Sequence, residues 1–467
     1  MFAGAAWISA TPVDDLDSYW HTEIGREIVA RHSLDGLGRA WLGVPAASWQ
    51  TSQWLSEVGM YAVVDHLGWA GLVALRLVVM AVLFLVLTLT LVRRRQPIAA
   101  FLVVVLVVVG LEILFQDRPA TLSLLFFALL GPACERLWTT GRRPPPVAVA
   151  AVSVLWAQLH GLWVIAPAAF GLVAVGALLD RRTAPPGQLR GALICTLASA
   201  AGVLNPQGFT SFLLPLRFQQ AAAARITEWF PTSFTMSLTV AWGLLVLLLI
   251  FAWVRSPVRI GNTELLWCAA WTVFGLLAIR NVGPVILLMA PVALRALERS
   301  FGERLDRLSA RPSPAMARAL GATLAAVLVA GVATVAVSLA RMDPLGETPA
   351  LGIARRLARA PGPIRVFNAY NTSGSLIAFA GGRDGHVQLV VDGRADLWGG
   401  QYIDSLAQVL NAQPGWEGKL RQFRPDAVVA PPDAALVSAL VSSGEWRYAM
   451  TDRKFVLLVP KDSTLLS

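Results

Sequence analysis

Long apolar segments, separated by short polar connections, fill most of the chain up to residue 341. Ten of these segments approach the length of about 20 residues that an α-helix needs to cross the hydrocarbon core of a bilayer. They lie near residues 68–92, 97–115, 119–137, 147–160, 162–180, 190–206, 236–254, 263–280, 282–297 and 317–341. The pattern predicts an α-helical polytopic membrane protein with about 10–11 transmembrane helices.

The last 125 residues (343–467) have a different pattern, in which short apolar runs alternate with amphipathic ones. Four runs are typical of buried strands, namely IRVFNAY, VQLVVDG, DAVVAP and KFVLLVP. The intervening segments DSLAQVL, WEGKLRQF and AALVSALVSS are typical of helices. Because strands and helices alternate, we predict a small C-terminal α/β domain.

Charged residues are scarce, and their placement predicts the topology. They make up 15% of the chain, against about 25% in soluble domains. The positive-inside rule assigns basic connections to the cytoplasm, here 93–97, 139–146, 181–190, 255–259 and 295–318. The alternating connections then face outward, namely 116–120, 159–161, 205–231 and 280–281. Since topology explains the net charge of +10, we predict no nucleic-acid partner.

The same topology divides the chain into two predicted domains. Residues 1–342 form a transmembrane domain whose first outer loop spans residues 11–67, and residues 343–467 form an extracytoplasmic α/β domain. Only ten residues precede the outer loop, which is too few for a helix that crosses about 30 Å. We therefore expect the first transmembrane helix to be truncated in this sequence.

The segment TPVDDLDSYWHTEIGREIVA (11–30) gathers acidic residues at the start of the outer loop. Apolar residues recur every four positions there and form one stripe, consisting of Leu16, Trp20, Ile24 and Ile28. Asp14, Asp17 and His21 lie on another face of the same helix. We expect an amphipathic helix that lies along the outer membrane interface.

Three carboxylates of this segment, Asp14, Asp15 and Asp17, are candidate catalytic bases. Transfer of a sugar onto a hydroxyl or an amine requires removal of a proton, which a carboxylate can accept. Asp17 and His21 are also candidate ligands of a divalent metal ion, because carboxylate and imidazole suit Mg, Mn or Zn. The alternative is that these acids are simply solvated.

Further polar residues lie at the predicted outer ends of the apolar segments, where charge is costly unless it is paired. These candidate substrate-binding residues are Arg76, Arg118, His160, Glu228 and Arg280, with His21 in the first loop. The arginines could pair with acidic residues, or they could hold a lipid-linked phosphate, which the planar guanidinium suits. A single histidine such as His160 is more often a hydrogen-bonded core residue. The chain has no G-x-G-x-x-G or P-loop motif, so we predict no nucleotide cofactor.

Several short motifs occur in an order that resembles a family of bacterial membrane proteins in the GT-C glycosyltransferase superfamily. DDLDSYWHTEIGREI resembles D-P-D-x-W-W-H-x-x-x-G-x-x-I, and QWLSEVGMY resembles H-E-W-L-S-E-x-x-x-Y. FQDRPATLSLL contains a segment similar to Q-x-R-P, and WAQLHGLW is similar to W-x-N-x-H-G. Near the end, VFNAYNTSGSLIAF and VVDGRADLW resemble V-F-N-x-Y-x-x-G-G-Y-L and D-G-R-x-D-x-Y. The resemblance covers essentially the whole chain.

The resemblance implies a GT-C-like fold in the bacterial inner (plasma) membrane, with its active face outside. It implies a polyprenyl-phosphate sugar donor and makes Asp15 the expected catalytic base, with Asp17 and His21 at the next matched positions. Arg118, His160 and Arg280 would line the donor pocket. There are departures: Ser52-Gln53 replaces the His-Glu pair of the pattern, and NTSGS lacks its second glycine.

Two functional hypotheses follow. The first is a glycosyltransferase that moves a sugar from a polyprenyl-phosphate-linked donor to an extracytoplasmic acceptor, which could be a glycan, a lipid or a protein. The second is a non-enzymatic transporter of lipid or polysaccharide, or a scaffold for cell-envelope assembly. A transporter should also have polar residues at the midplane and on the cytoplasmic side, and the sequence shows few of them. Both hypotheses include contact with membrane lipids, and a divalent metal ion is a candidate cofactor.

Overall fold

The computed structural model describes residues 11–13, 15–47, 49–92, 96–215, 218–219, 225–308 and 314–465. The candidate base Asp14 and the proposed truncated helix at residues 1–10 therefore lie outside the described residues. The helices, in chain order, are α1 (Asp17–Arg31), α2 (Trp54–Leu67), α3 (Trp69–Leu87), α4 (Pro97–Leu111), α5 (Pro119–Thr140), α6 (Pro146–Leu159), α7 (Ile165–Leu179), α8 (Gln188–Ser199), α9 (Ser237–Val254), α10 (Asn262–Leu277), α11 (Val282–Leu308), α12 (Pro314–Arg341), α13 (Leu351–Leu357), α14 (Ser373–Phe379), α15 (Ala395–Leu410), α16 (Trp416–Phe423) and α17 (Ala435–Ser442). The strands are β1 (Ile364–Asn368), β2 (Val387–Leu389), β3 (Ala427–Ala430), β4 (Trp446–Asp452) and β5 (Phe455–Pro460).

The chain forms two compact units. The membrane unit consists of Thr11 with residues 73–212 and 227–342, and the α/β unit consists of residues 12–72, 213–226 and 343–467. The α/β unit is thus discontinuous. Most of the segment predicted as the first outer loop packs in the same unit as the C-terminal residues, whereas the prediction had counted that loop with the transmembrane domain.

The predicted apolar segments correspond to α3–α12, which confirms a polytopic helical fold. Among the described residues, five helical segments are long and apolar enough to cross a membrane, namely Trp54–Leu91, Pro119–Thr140, Gly161–Leu179, Ser237–Val254 and Ile279–Arg307. Shorter apolar helices span Pro97–Leu111, Pro146–Leu159, Gln188–Val203 and Val329–Arg341. Proline begins α4, α5 and α6, because the first helical position needs no amide hydrogen and suits the fixed backbone angle of proline.

Helix α11 is the central helix of the membrane unit, and 89% of its most apolar stretch is buried. It packs against α4, α5, α9 and α10. Small residues allow close approach of the helices. A Cβ atom placed on Gly131 of α5 would lie 2.9 Å from the carbonyl oxygen of Leu287 in α11. Side chains on the outer helix faces are apolar and exposed, as Leu197 and Val254 are, and this pattern is typical of contact with lipid.

A five-stranded mixed sheet in the order β2-β1-β3-β5-β4 forms the centre of the α/β unit. Strands β2, β1 and β3 are parallel, whereas β5 is antiparallel to both β3 and β4. Apolar residues alternate between the two faces of the sheet, since α1, α13 and α14 cover one face and α15, α16 and α17 cover the other. The four predicted strands and three predicted helices of this region are confirmed, whereas β4 was not predicted.

Helix α1 has the predicted apolar stripe, but the stripe does not face outward as packing on a membrane would require. Trp20, Ile24 and Ile28 are buried in the core of the α/β unit, against the sheet face that also carries α13 and α14. The following chain extends the sheet at its β2 edge, where Leu42 pairs with Leu389. The carbonyl of Leu389 accepts a hydrogen bond from the amide of Gly43 at 2.9 Å. The stripe therefore packs on protein, not on lipid.

Candidate functional site

Two of the candidate acids lie at the beginning of α1, in the α/β unit. Asp15 is buried, and its Oδ1 accepts a hydrogen bond from the amide of Asp17 at 2.9 Å. Oδ1 of Asp17 accepts a hydrogen bond from the indole Nε1 of Trp20 at 2.8 Å. Carboxylates are favourable at the positive end of a helix, so both acids fit their local position as well as a chemical role. Whether either acts as a base stays a prediction.

His21 of α1 is paired with a glutamate that sequence reasoning did not single out. Its Nδ1 lies 2.9 Å from Oε1 of Glu57 in α2, and both side chains are buried. The amide of Gln53, which stands where the resembled motif has glutamate, lies 3.3 Å from Nε2 of His21. Glu57 belongs to the WLSE motif, which was the available signal, but nothing in its local spacing places it beside His21.

The two candidate metal ligands have different hydrogen-bond partners in the structure. Asp17 bonds to Trp20, and His21 pairs with Glu57. Within the part of the chain that the structure describes, no group of three or more His, Cys, Asp or Glu side chains is arranged to hold a metal ion. The metal site at Asp17 and His21 therefore stays a prediction.

Three of the predicted substrate-binding residues meet in the membrane unit. Glu228 bridges the arginine pair: its Oε2 lies 2.8 Å from Nη2 of Arg118, and its Oε1 lies 3.0 Å from Nη1 of Arg280. Arg118 directly precedes the first proline of α5 and has the extended backbone that such a position favours. Arg280 lies in the short turn Ile279–Asn281 between α10 and α11. Its guanidinium also stacks over the ring of Trp229, 4.3 Å from the centroid.

The arginine pair keeps Glu228 ionised. Burial raises the pKa of this carboxyl, but the charges of Arg280 and Arg118 and the hydrogen bond from Arg118 outweigh burial and lower the pKa to about 2. His160 adds a smaller effect in the same direction, which places it near the same carboxylate. The triad Arg118–Glu228–Arg280 therefore carries a net positive charge at neutral pH.

A pocket opens beside this triad, within the membrane unit. Its empty volume, including the open mouth, is about 410 Å³. Two guanidiniums and a largely apolar wall line it, contributed by Leu114, Arg118, Ala120, Leu124, Phe127, Leu162, Arg280 and Pro284. Such a lining suits a ligand that joins an anionic group to a hydrocarbon chain.

His160 is held in a defined orientation at the end of α6. The hydroxyl of Ser123 accepts a hydrogen bond from the indole Nε1 of Trp156 at 2.8 Å, and it lies 2.9 Å from Nδ1 of His160. These contacts with Ser123 fix the orientation of the imidazole ring. This network is typical of a hydrogen-bonded core histidine, the ordinary alternative for this residue.

Arg76 is paired with an acid, as one of the two sequence interpretations held. Its Nη1 lies 2.9 Å from Oδ2 of Asp117, and both side chains are almost completely buried. Arg76 also donates to the backbone carbonyl of Thr11. The structure thus brings Arg118, Glu228, Arg280 and His160 together, and it gives Arg76 a separate partner.

No family model matches the chain, and no curated protein matches it in sequence. Solved structures do match. The oligosaccharyltransferase of Archaeoglobus fulgidus, tethered to an acceptor peptide containing the NVT sequon, aligns with a TM-score of 0.51 and 13% identity over 92% of this chain and 68% of that one. The apo form of the same enzyme aligns with a TM-score of 0.53 and 12% identity over 92% and 69%. At this identity the similarity concerns the fold alone: the chain is a multi-pass membrane protein with the fold of that oligosaccharyltransferase.

Proposed function

We propose that this protein is a GT-C-type glycosyltransferase that moves a sugar from a polyprenyl-phosphate-linked donor to an extracytoplasmic acceptor. The observation that carries the proposal is the pocket of the membrane unit, in which the arginine pair adjoins an apolar wall. The GT-C-like fold supports it, because the aligned structure is an oligosaccharyltransferase. By the resemblance, the setting is the bacterial inner membrane, with the active face and the α/β unit outside.

The donor has two chemically different parts, and the pocket has a counterpart for each of them. A planar guanidinium binds phosphate oxygens through paired hydrogen bonds, which suits Arg118 and Arg280. The apolar side chains of Leu114, Leu124 and Phe127 suit the first isoprene units. A soluble sugar nucleotide has no hydrocarbon chain to fill such a wall, so the lipid-linked donor fits better.

The triad also has a role in the transfer itself. When the bond between sugar and phosphate breaks, negative charge accumulates on the departing phosphate. Fixed cations stabilise this charge without reorganising, which is the principal electrostatic contribution in many enzymes. Glu228 holds both guanidiniums, at distances of 2.8 and 3.0 Å, in a fixed position beside the pocket.

Loss of either arginine of the pair should weaken donor binding. We expect Arg280→Ala or Arg118→Ala to weaken binding of a polyprenyl phosphate by about tenfold or more, since a hydrogen bond to a charged group contributes about 1.5–3 kcal/mol. The measurement is a titration of the purified full chain with a polyprenyl phosphate, read by native mass spectrometry.

A matched control exists in the same unit. Arg299 pairs with Glu264 at 3.0 Å, and its side chain is 21% exposed, against 22% for Arg280. Glu264 also binds Arg295 at 2.7 Å and thus forms a second Arg–Glu–Arg set. Arg299→Ala should leave lipid binding unchanged. If Arg299→Ala and Arg280→Ala weaken binding equally, the pocket is not the phosphate site.

Asp15 is the proposed base that accepts the proton of the acceptor. We expect Asp15→Asn to lower the rate of sugar transfer by about 10²–10⁴-fold, the usual contribution of general base catalysis, without changing the binding of polyprenyl phosphate. Asp35→Asn, which alters an exposed acid of the same N-terminal segment, is the control. If Asp15→Asn transfers sugar at the wild-type rate, Asp15 is not the base, and Asp14 and Asp17 become the candidates.

A further inference from the structure

The parallel strands of the α/β unit end at an edge where ligands commonly bind. The crossover from β1 to β2 passes through α14 on one face, and the crossover from β2 to β3 passes through α15 and α16 on the other face. In open sheets of this kind, ligands bind outside the carboxyl ends of the strands, where the crossovers diverge. The motif VVDGRADLW follows β2 directly at this edge.

Side chains of this motif form a rigid cluster with residues of the N-terminal segment. Oδ2 of Asp392 accepts a hydrogen bond from Nε1 of Trp41, and its Oδ1 accepts one from Nε1 of Trp398, both at 2.9 Å. The guanidinium of Arg394 bonds to Asp392 and to the carbonyl of Leu37 at 2.8 Å. Asp392 and Arg394 are fully buried, and their partners account for their polar groups. They therefore fix the surrounding rings and are not themselves a ligand surface.

The outer part of the cluster consists of half-buried aromatic rings and one carboxyl. Nε1 of Trp49 donates to Oδ2 of Asp396 at 2.8 Å, and the ring of Trp49 covers the guanidinium of Arg394 at 4.8 Å. Trp398 stacks on Tyr402 with a centroid distance of 4.8 Å and an interplanar angle of 17°. Each of these rings is held by a hydrogen bond at its edge, so little conformational freedom remains to be lost on binding.

The described residues leave room beside Gly399 at this surface. Gly399, next to Trp398, has a φ of 71°, and a Cβ built on it would meet no heavy atom of the described residues within 4 Å. Burial raises the pKa of Asp396, against the lowering effect of the hydrogen bond from Trp49. Beside the hydrogen bond from Trp49, the two oxygens of this carboxyl can accept further hydrogen bonds.

We propose that Trp49, Asp396 and Trp398, with Tyr402 behind Trp398, form a saccharide-binding site at the carboxyl edge of the sheet. The chemistry points to a polyol: the apolar C–H face of a sugar ring packs on an aromatic ring, and its hydroxyls bond to a carboxyl. A hydrocarbon ligand would make no use of the Asp396 carboxyl, and in its ionised form that carboxyl would repel an anionic ligand. In the proposed transfer reaction, the saccharide is the acceptor. That assignment rests on the proposed function, whereas saccharide binding itself does not.

The test is calorimetric titration of the purified full chain with soluble oligosaccharides, namely maltohexaose, chitohexaose and mannohexaose. Wild type should bind at least one of them. Trp398→Ala and Asp396→Asn should each weaken that binding by about tenfold or more. Trp398→Phe keeps an aromatic face and should retain most of the affinity, which separates loss of the contact from loss of the fold.

Trp446→Ala is the matched control, because Trp446 is also half-buried and packs against the same hydrophobic cluster as Trp398. It should leave saccharide binding unchanged. The inference is overturned if wild type binds none of the three oligosaccharides, or if Trp398→Ala binds as tightly as wild type. Neither result would bear on the proposed phosphate site at the arginine pair, because polyprenyl phosphate binding is measured without saccharide. The reverse outcome is also distinguishable. If the arginine variants bind lipid normally while wild type binds saccharide, the donor pocket is contradicted and the saccharide site is not.

Discussion

Glu228 determines the charge of the donor pocket at the scale of single residues. Its carboxylate lies 2.8 Å from the guanidinium of Arg118 and 3.0 Å from that of Arg280, so it offsets the repulsion between these two cations. The carboxylate also aligns the two guanidiniums beside the pocket. The residue thus links the stability of the membrane unit to the proposed binding of phosphate.

The stability that Glu228 contributes should depend on pH. Its pKa in the folded protein, about 2, lies below the ordinary value of 4.5. A lowered pKa means that the stabilisation is fully present above about pH 4.5 and is lost as the pH falls through about 2. We therefore expect Glu228→Gln to lower the midpoint of thermal unfolding at pH 7, and we expect the difference from wild type to shrink between pH 4.5 and pH 2.

Glu417→Gln provides the comparison, since Glu417 forms an exposed pair with Arg421 at 3.7 Å. Exposed pairs contribute about 0–1 kcal/mol, so this variant should unfold like wild type at either pH. A constant difference between Glu228→Gln and wild type across the whole pH range would show that the carboxylate does not stabilise the arginine pair.

Sequence reasoning singled out the three charged residues of the triad but could not find how they pair. Arg118, Glu228 and Arg280 are conspicuous because they interrupt or end apolar segments, where charge is costly. Their pairing joins residues separated by 110 and 52 positions, and no local spacing records such a contact. For the same reason, Glu57 was not connected with His21, 36 positions away.

At the scale of elements, periodicity predicts a helix well but does not predict what covers it. The four-residue stripe of α1 is present, yet it packs on a sheet formed mostly by the other end of the chain. A stripe of this kind has the same period whether lipid or protein covers it. Strand β4 was missed because its residues are half-buried without the alternation of apolar and polar positions that indicates a strand.

Close packing of α5 on α11 should make Gly131 intolerant of any side chain. Gly131→Ala would place its Cβ 2.9 Å from the backbone oxygen of Leu287, and backbone cannot yield as a flexible side chain does. We expect a loss of about 1–3 kcal/mol of stability, typical of overpacking, measured as a lower midpoint of thermal unfolding in detergent.

The matched substitution is Gly171→Ala in α7. A Cβ at Gly171 would meet no heavy atom of the described residues within 4 Å. Alanine is the better helix former by about 1 kcal/mol, so Gly171→Ala should be neutral or stabilising. Equal destabilisation by both substitutions would mean that the contact between α5 and α11 is not what makes Gly131 sensitive.

At the scale of the whole molecule, the sequence pattern predicts the succession of apolar helices and the C-terminal α/β fold. Both follow from local signals, namely segment length, hydropathy and the change of period near residue 343. These local signals do not predict which residues make up the α/β unit. Residues 12–72 join that unit through contacts such as Leu42 with Leu389, which no window along the sequence can contain.

Because the α/β unit is discontinuous, its two main segments are synthesised at different times. Its two main segments are separated by roughly 270 residues, which a ribosome needs tens of seconds to add at about 5–20 residues per second. During that interval Trp20, Ile24 and Ile28 have been made, but the sheet that buries them has not. The apolar stripe of the N-terminal segment therefore stays uncovered until the last strands are synthesised. We expect a chaperone or the lipid surface to cover this stripe during synthesis. Truncation before β5 should stop the nascent protein at this stage.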